Sequence, residues 1–388
     1  MKRSSAALVV GLGAAQLVVW GALYYSIAIL GEPMRVELGA AASQVFGAFT
    51  CAMVVSGLLA PWAGRAIDRY GGRAMLATSA LIGAVAFGLL AYARTLPELI
   101  AAWSIAGVAM SFGLYDACFA AIGQVHPVGY RTVVTSVTLI AGFASTVFWP
   151  LSHYLLERTG WRGVCQIYAA AILLCAPVYL AVLPKAPRSN RPSHAPVLVA
   201  SPVVDERVRR RARMLAWAFA GASLISASMS AHLVEIFGAL RITGGHAVWI
   251  ASSIGVLQVL GRVLELSFGR GLSATKLGLA CFAGLVAAMG LLVSTAAVPN
   301  AVFGFAAFYG VTNGLLTIAK AALPVELLGF ANVGSVLGSF GAPSQVARAL
   351  APLGFALLAG ASGFSGALFA MVAIAVLSLV AFMMASRA

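Results

Sequence analysis

Six ionisable side chains lie inside long apolar stretches of this sequence. They are Asp116, His232, Glu235, Arg262, Glu265 and Arg348. Moving a charge into hydrocarbon costs on the order of several kcal/mol, so each of these residues is a candidate functional group. Their side chains offer two kinds of chemistry: electrostatic binding of an opposite charge, and the uptake and release of a proton.

Arg348 is the deepest of these charges. It lies about 15 residues into an apolar segment, and at about 1.5 Å per residue this places it near the middle of a bilayer. Pro343 and Pro352 flank it, and prolines can open a helix backbone locally and allow a cavity to form. Arg348 therefore either contacts an anionic ligand or pairs with an internal acid.

Four of the other charges form two pairs with helical spacing. Arg262 and Glu265 are one turn apart, as are His232 and Glu235, so the members of each pair share a helix face. Burial favours the neutral form of a carboxyl group, which suits Asp116 or Glu235 to carry a proton. Alternatively, the acids are counter-ions for the arginines. Arg262 is then half of a structural pair with Glu265 and makes no ligand contact.

Neutral polar and aromatic residues add further candidates. Gln16, Trp20 and Tyr24 recur every four residues and form one stripe on a helix. The stripe lines a cavity, or its tyrosine anchors the helix at the membrane interface. Asn313 and Gln345 suit a polar ligand and equally a helix–helix hydrogen bond.

The composition is that of a helical membrane protein. Of the 388 residues, 61% are hydrophobic and 9% are charged, whereas soluble domains carry about 25% charged residues. The 41 glycines allow helices to pack closely in lipid. The formal net charge of +14 is explained by Lys and Arg on cytoplasmic loops and does not indicate nucleic-acid binding.

The sequence lacks the motifs of an enzyme, a metal site or a cofactor site. Its five cysteines lie in apolar segments and have neither zinc-site nor disulfide spacing. It contains no Gly-Lys-Ser/Thr phosphate loop, which argues against ATP as an energy source, and no nucleophile–base pair. Cys118, two residues from Asp116, could offer a soft ligand to a thiol-reactive species.

Twelve apolar segments of membrane-spanning length follow one another along the chain. We place them at about 6–30, 43–63, 74–93, 97–123, 132–156, 164–183, 214–240, 247–268, 277–296, 301–323, 333–359 and 365–386. The stretch 184–213 is rich in proline and then in arginine, and is predicted to be a cytoplasmic linker. The predicted domains are an N-terminal six-helix bundle, 1–183, and a C-terminal six-helix bundle, 214–388.

The distribution of basic residues predicts the orientation. With the N-terminus inside, most of the 25 lysines and arginines fall in cytoplasmic segments and five in outer loops, which favours both termini in the cytoplasm. The start Met1-Lys2-Arg3 mimics a signal peptide, but the apolar run 6–30 is too long for one. We therefore expect a retained first helix.

Fragments of the two halves correspond at an offset of about 202 residues, a sign of internal duplication. Gly88-Leu89-Leu90 corresponds to Gly290-Leu291-Leu292, and Trp149-Pro150-Leu151 to Ala351-Pro352-Leu353. The segment 159–163 corresponds to 362–366 at an offset one residue larger. A near-constant offset predicts two halves with the same order of helices.

A charged turn at 64–73 carries the most specific pattern. It reads Gly-Arg-Ala-Ile-Asp-Arg-Tyr-Gly-Gly-Arg and follows the second apolar segment. Its charges must lie at a membrane face, while its glycines permit close packing and a sharp reversal. The pattern resembles the G-x-x-x-D-R-x-G-x-R loop between the second and third helices of major facilitator superfamily transporters. Its key positions here are Gly64, Asp68, Arg69, Gly71 and Arg73.

The resemblance extends over essentially the whole chain. It implies an all-α integral membrane fold, with twelve transmembrane helices in two pseudo-symmetric six-helix bundles, and a substrate path near mid-membrane. It also implies that Asp68 makes a gate contact with neighbouring helix ends. The pair Gly261-Arg262 is similar to the monocarboxylate porter branch, where that arginine engages the substrate carboxylate. The Gly-Pro-x-x-Gly-Gly run of many drug–proton antiporters is missing from the fifth helix.

These observations predict a secondary active transporter, and not an enzyme. We expect it to move a small organic anion, a carboxylate, with coupling to protons. An efflux carrier for hydrophobic toxicants or metalloids is the alternative, and a transporter-like receptor is a third reading. We expect a monomer in the inner membrane of a bacterium, whose partners are its substrate, protons and the lipid bilayer, with no cofactor.

Overall fold

The regular elements of this computed structural model are all helices in the part of the chain that it describes. That part comprises residues 2–184, 206–242, 245–269, 272–328 and 333–387. Most of the predicted linker lies outside the described residues, as does Arg270, which falls opposite Asp68 in the repeat. The last part of that linker, 206–213, is helical, so the seventh span begins inside a longer helix.

The described residues up to 184 contain eight α-helices and one π-helical turn. They are α1 (Lys2–Trp20), the π turn (Gly21–Tyr25), α2 (Ile27–Glu37), α3 (Ala42–Tyr70), α4 (Gly72–Tyr92), α5 (Leu96–Gly113), α6 (Tyr115–Val125), α7 (Tyr130–Ala141) and α8 (Ala144–Val182). Helix α1, the π turn and α2 together make one apolar stretch, as do α5 and α6.

Five longer helices follow among the described residues beyond 205. They are α9 (Glu206–Ala239), α10 (Gly245–Phe268), α11 (Ala274–Ser294), α12 (Ala301–Leu328) and α13 (Val333–Arg387). Proline lies inside several of them, as at Pro324 in α12 and Pro352 in α13. Helices in a membrane tolerate proline because neighbouring groups satisfy the carbonyls that it frees.

Ten apolar helical stretches in the described residues are long enough to cross a membrane. Two of them, Tyr130–Val182 and Gly334–Ser386, are 53 residues long, whereas one crossing needs about 20 residues. Each is interrupted by a single non-helical glycine, Gly160 (φ 65°, ψ 170°) or Gly363 (φ 73°, ψ 170°). Each therefore holds two spans, which confirms the predicted total of twelve.

The chain divides into two compact units. Unit 1 contains the described residues of 1–195 and of 330–342, and unit 2 contains those of 196–329 and of 343–388. The beginning of α13, 333–342, thus belongs to unit 1 although it follows the predicted linker. The rest of α13 belongs to unit 2.

Aromatic contacts hold the helices of each unit together. In unit 1, the ring centroid of Trp103 (α5) lies 5.2 Å from that of Phe49 (α3) and 5.9 Å from that of Phe87 (α4). In unit 2, Phe282 (α11) stacks on Phe382 (α13) at 5.1 Å. Such pairs contribute about 0.5–1.5 kcal/mol each beyond the area they bury, which matters in lipid, where no hydrophobic force drives helices together.

The two corner glycines have the same surroundings at the predicted offset. The hydroxyls of Thr159 and Ser362, which precede Gly160 and Gly363, donate to the carbonyl four residues earlier at 2.9 and 2.8 Å. Both glycines have positive φ, which other residues adopt only at a steric cost. The repeat seen in the sequence is therefore a repeat of local structure.

The starts of α4 and α11 are capped from matching positions. Gln124 Oε1 accepts a hydrogen bond from Gly72 N (2.9 Å), and Glu326 Oε2 accepts one from Ala274 N (2.6 Å). Amide groups at a helix start have no partner within the helix. Sequence reasoning missed Gln124 and Glu326. The offset of the repeat could have related them, because Gln124 and Glu326 occupy equivalent positions in the two halves.

Candidate functional site

The first candidate group surrounds a widened turn of the first span. Helix α1 ends at Trp20 and continues as the π-helical turn Gly21–Tyr25, a form that is frequent at functional sites. A Cβ on Gly21 would overlap the ring of Phe148. Glycine is therefore needed for α8 to pack against this turn.

Trp20 is the centre of an aromatic cluster in unit 1. Its ring centroid lies 4.8 Å from that of Tyr115, 5.2 Å from that of Tyr24 and 6.3 Å from that of Tyr25. The side chain is 8% exposed, and its Nε1–H has no hydrogen-bond partner. A buried donor left unsatisfied costs about 1–3 kcal/mol, so this N–H can bind a ligand that carries an acceptor.

Gln16 makes a helix–helix hydrogen bond next to this cluster. It is fully buried, and its Nε2 donates to Gly113 O at 2.7 Å. The fourth span is broken at this point, because Leu114 is extended (φ −78°, ψ −170°) between α5 and α6. The last carbonyls of a helix lack partners, and Gln16 satisfies one of them. A substrate contact by Gln16 stays a prediction.

Asp116 lies in the first turn of α6, directly after Tyr115. A carboxylate in a first turn interacts favourably with the helix dipole. A Cβ on Gly341, in the unit 1 part of α13, would lie 2.7 Å from Asp116 Oδ2. Glycine thus allows the carboxylate to approach the α13 backbone. Asp116 is half-buried and has further interaction partners.

The charged turn 64–73 is anchored through Asp68. Its carboxylate accepts hydrogen bonds from Gly334 N (2.9 Å), Ser335 N (2.7 Å) and Ser335 Oγ (2.7 Å), in the first turn of α13. Helix starts carry unpaired N–H groups and a partial positive charge, and a carboxylate satisfies both. Asp68 therefore holds α3 and the start of α13 together within unit 1.

The other positions of the turn shape this contact. A Cβ on Gly64 would overlap Gly334 O, so glycine permits the close approach of α3 and α13. Gly71 has φ 88° and ends α3. Arg69 is exposed, with its guanidinium 5.2 Å from the ring centroid of Tyr70, and Arg73 is half-buried.

Arg262 on α10 is a buried charge of unit 2. Both Arg262 and Glu265 are 6% exposed, and Arg262 Nε has no hydrogen-bond partner, whereas Glu265 has interaction partners. Helix α10 crosses α12 closely here. A Cβ on Gly261 would lie 2.8 Å from Val311 O, and one on Gly314 would overlap Gln258 O. The crossing fixes the backbone that carries Arg262.

His232 and Glu235 on α9 are in direct contact. His232 Nδ1 lies 2.8 Å from Glu235 Oε2, and His232 Nε2 lies 2.9 Å from Pro352 O of α13. The imidazole ring stacks on Phe355 with centroids 5.0 Å apart. The pair therefore links α9 to α13 within unit 2.

The remaining predicted residues of unit 2 lie on α12 and α13. Arg348 is half-buried and has interaction partners in the structure. Gln345, one turn earlier, is buried, and Asn313 of α12 is half-buried. Unit 2 thus contains Arg262, Arg348, Asn313 and Gln345, whereas unit 1 contains the aromatic stripe, Asp116 and the charged turn.

Comparison with known proteins identifies the family. Residues 12–293 match the model of the Major Facilitator Superfamily. The chain belongs to this superfamily. It is therefore a multi-pass membrane transporter, and not an enzyme. No curated protein matches its sequence significantly.

Two solved structures share the fold of this transporter over nearly its whole length. The human organic anion transporter MFSD10 (TETRAN) is 15% identical with a TM-score of 0.75, covering 97% of this chain and 99% of that chain. The proton:xylose symporter XylE, bound to 6-bromo-6-deoxy-D-glucose, is 14% identical with a TM-score of 0.78, covering 98% of this chain and 95% of that chain.

A further ionic cluster of the transporter was not predicted as a site. Glu37 accepts hydrogen bonds from Trp161 Nε1 (2.5 Å) and Arg162 Nε (2.8 Å), and Arg162 also donates to Ala91 O (2.8 Å). These contacts tie the ends of α2 and α4 to α8 just after the Gly160 corner. Sequence patterns place Arg162 in a loop between two spans. The cluster was missed because its partners, Glu37 and Ala91, lie far from Arg162 along the chain.

The residues that the structure describes offer few groups for thiol or metal chemistry. All five cysteines are free thiols, and Cys51 alone among them is exposed. Across the described ranges, His, Cys, Asp and Glu form no group of three or more that could hold a metal ion.

Proposed function

We propose that this transporter is a secondary active carrier that moves a small organic anion of the carboxylate class, with coupling to protons. The observation that carries the proposal is Arg262. It is a guanidinium with 6% exposure whose Nε–H has no partner, on a helix that the α10–α12 crossing holds in place.

The energetics of Arg262 favour an anionic ligand. Removing an ion from water costs several kcal/mol even after the protein relaxes, and arginine does not escape this cost by losing its proton. A substrate carboxylate would offset the cost through charge-assisted hydrogen bonds, for which guanidinium has a matching planar geometry. The similarity of Gly261-Arg262 to the monocarboxylate porter branch supports the same assignment.

Further candidate contacts are proposed in each unit separately. In unit 2, Arg348, Asn313 and Gln345 are proposed to complete the polar surroundings of the substrate. In unit 1, Trp20 offers a buried N–H donor, and Tyr24 lies against its ring. Asp116, Glu235, His232 and Glu265 are the proposed proton-coupling or ion-pair residues.

The Asp68 contact is the proposed gate. Transport by alternating access requires that some contacts form in one state and break in another. Three hydrogen bonds from one carboxylate to a helix start can be broken together, because they share a single side chain. We infer that Asp68 stabilises one access state and does not touch substrate.

We also propose in which membrane the transporter lies and on which side its termini are. The excess of Lys and Arg in the segments assigned to the cytoplasm supports an orientation with both termini inside, and the proposed membrane is the inner membrane of a bacterium. The proposed working unit is a monomer, since one chain supplies all twelve spans.

A second candidate function is efflux of a hydrophobic or metalloid compound. The aromatic cluster around Trp20 favours it, because aromatic side chains bind apolar molecules and cations. Cys118 is fully buried two residues from Asp116, where it would be the soft ligand for a metalloid. The carboxylate assignment ranks first, since it accounts for Arg262.

The test is a thermal-stability screen of the purified protein with small carboxylates and their uncharged amides. A ligand at 100 times its Kd stabilises the folded state by about 2.7 kcal/mol. We expect carboxylates, and not amides, to raise the Tm of the parent, and we expect this shift to be lost in Arg262→Met. Without ligand, Arg262→Met should be at least as stable as the parent, because it removes a buried guanidinium whose Nε–H has no partner.

Arg158→Met is the matched control, since Arg158 is exposed on α8 and the variant changes the net charge equally. It should keep the full carboxylate shift. Equal carboxylate shifts in the parent and Arg262→Met would contradict the assignment. Stabilisation by hydrophobic cations or trivalent metalloids alone, equal in both proteins, would favour efflux.

A further inference from the structure

His232 makes two contacts with acceptor oxygens, one through each ring nitrogen. A neutral imidazole beside a charged carboxylate has only one N–H, so one further proton is needed for both contacts to be hydrogen bonds. Nε2 lies 2.9 Å from Pro352 O, and Nδ1 lies 2.8 Å from Glu235 Oε2. A carbonyl oxygen and a carboxylate oxygen only accept, and a neutral imidazole donates from one nitrogen only. Both contacts are hydrogen bonds only when a proton lies between Nδ1 and Glu235, whichever group carries it.

The side chains of His232 and Glu235 differ in their exposed fraction. Glu235 is 61% exposed, whereas His232 is 14% exposed and is covered by the ring of Phe355. Glu235 follows the end of the apolar stretch Arg209–Leu233. A proton can therefore exchange with water through the carboxylate, while the imidazole transmits its presence to α13.

Loss of this proton breaks the link to α13. A deprotonated pair keeps one N–H on the ring, and the stronger acceptor for it is the charged carboxylate. The hydrogen then stays on Nδ1, and Nε2 presents a lone pair to Pro352 O. The contact between His232 and Pro352 becomes repulsive, and the link that remains nearby is Ser228 Oγ to Ala351 O, at 3.2 Å.

The link attaches to α13 at a point where that helix can bend. Pro352 has no N–H, so the carbonyl four residues earlier in α13 lacks its usual partner, and such positions are common sites of kinks. Making or breaking one hydrogen bond here can change the path of the helix more than it would in a regular segment.

The pair is present in only one of the two repeats. At an offset of about 202 residues, the positions of His232 and Glu235 correspond to Leu30, which is fully buried, and Pro33, which lies inside α2. Neither can bind a proton. The first repeat has apolar residues at the two positions where the second has an ionisable pair.

We propose that His232 and Glu235 form a proton-binding site whose occupancy makes or breaks the hydrogen bond between α9 and α13, and that this proton is the coupling ion of the transporter. The second half of this statement rests on the proposed function. Other ionisable groups lie on the helices packed against this face of α9, and the variants below separate their effects. They are Tyr309, Lys320 and Glu326 of α12, Arg348 of α13, and His246, Arg262 and Glu265 of α10.

The test measures the separation of α9 and α13 against pH in the purified full-length protein in lipid nanodiscs. Spin labels are placed by Gly238→Cys and Gly360→Cys, since a Cβ at either glycine meets nothing within 4 Å, in a Cys51→Ser background. We expect the distance distribution to change with pH, with the same midpoint as the ¹⁵N signal of His232.

Glu235→Gln is the decisive variant. A glutamine amide donates to Nδ1 of a neutral ring, whose Nε2–H then donates to Pro352 O, so both contacts persist without the extra proton. In Glu235→Gln we therefore expect the distance between the labels on α9 and α13 to be, at every pH, the one that the parent shows with the proton bound. Ser228→Ala, the matched control, removes the neighbouring link and should shift the distribution equally at every pH while keeping the response.

Two results would overturn the site. One is a separation that does not respond to pH in the parent, and the other is an undiminished response in Glu235→Gln. Neither measurement needs a substrate, so failure of the carboxylate screen would count against the proposed function alone. With a carboxylate from that screen, Glu235→Gln in proteoliposomes should lose accumulation driven by a pH gradient and keep exchange of labelled for unlabelled substrate. Continued accumulation would refute the coupling role.

Discussion

At the scale of single residues, hydrogen-bond partners distinguish the two charges Asp68 and Arg262. Asp68 receives three hydrogen bonds from the first turn of α13, which accounts for a carboxylate at that position without any ligand. Arg262 is more deeply buried, and its Nε has no acceptor. No acceptor in the structure accounts for this buried Nε–H, which is why we propose substrate binding for Arg262 and gating for Asp68.

Asp68→Asn should loosen the start of α13. The variant loses the negative charge and one acceptor oxygen, and hydrogen bonds to charged groups contribute about 1.5–3 kcal/mol. We expect the backbone amides of Gly334 and Ser335 to exchange with deuterium at least about tenfold faster. Hydrogen exchange with mass spectrometry measures this directly.

Arg69→Gln provides the comparison for Asp68→Asn, because Arg69 is an exposed neighbour in the same turn. It should leave the exchange of both amides unchanged. Ser335→Ala removes one of the three hydrogen bonds and should have an intermediate effect. Unchanged protection in Asp68→Asn would show that the contact does not hold α13.

At the scale of elements, the breaks in the helices do not follow the prolines. Pro61, Pro150 and Pro177 all lie inside helices, whereas the fourth span breaks at Leu114. Sequence patterns predicted the spans because length and apolarity determine them. They did not predict the break at Leu114 or the π turn after Trp20, because these depend on partners far along the chain, such as Gln16 donating to Gly113 O.

Glu326 caps the start of the helix α11 from α12. Its carboxylate accepts hydrogen bonds from Ala274 N (2.6 Å) and Thr275 N (3.3 Å) at the start of α11. Removing a helix cap costs about 1 kcal/mol. We expect Glu326→Ala to lower the free energy of unfolding by about this amount, measured by unfolding in mixed micelles.

Glu157→Ala is the matched acidic control for the Glu326 cap. Glu157 forms an exposed pair with His153 at 3.3 Å, and exposed i,i+4 pairs contribute about 0.3–0.5 kcal/mol. If the two variants lose equal stability, the cap adds nothing beyond an ordinary surface contact.

At the scale of the whole molecule, the repeat and the number of spans were accessible from the sequence, whereas the grouping of 333–342 with unit 1 was not. The spans follow from composition, and the repeat survives in short fragments such as Trp149-Pro150-Leu151. The membership of 333–342 depends on contacts of Gly334, Ser335 and Gly341 with residues more than 200 positions away, which no local pattern records.

The orientation can be tested with two exposed valines. Val128 is 90% exposed and follows four spans, and Val298 is 56% exposed and follows nine. With the N-terminus inside, an impermeant maleimide applied to intact cells should label Val298→Cys at once and Val128→Cys only after the membrane is opened. Both variants carry Cys51→Ser, and the reverse pattern of labelling would invert the proposed orientation.

The single-glycine corners at Gly160 and Gly363 bear on biosynthesis. Each joins two spans with one non-helical residue, so no loop is available to hold the first span across the membrane while the second is still being made. We therefore expect the two spans of each pair to enter the bilayer together as a hairpin. A glycine replaced at either corner would then reduce the yield of inserted protein before it affected the stability of the finished one.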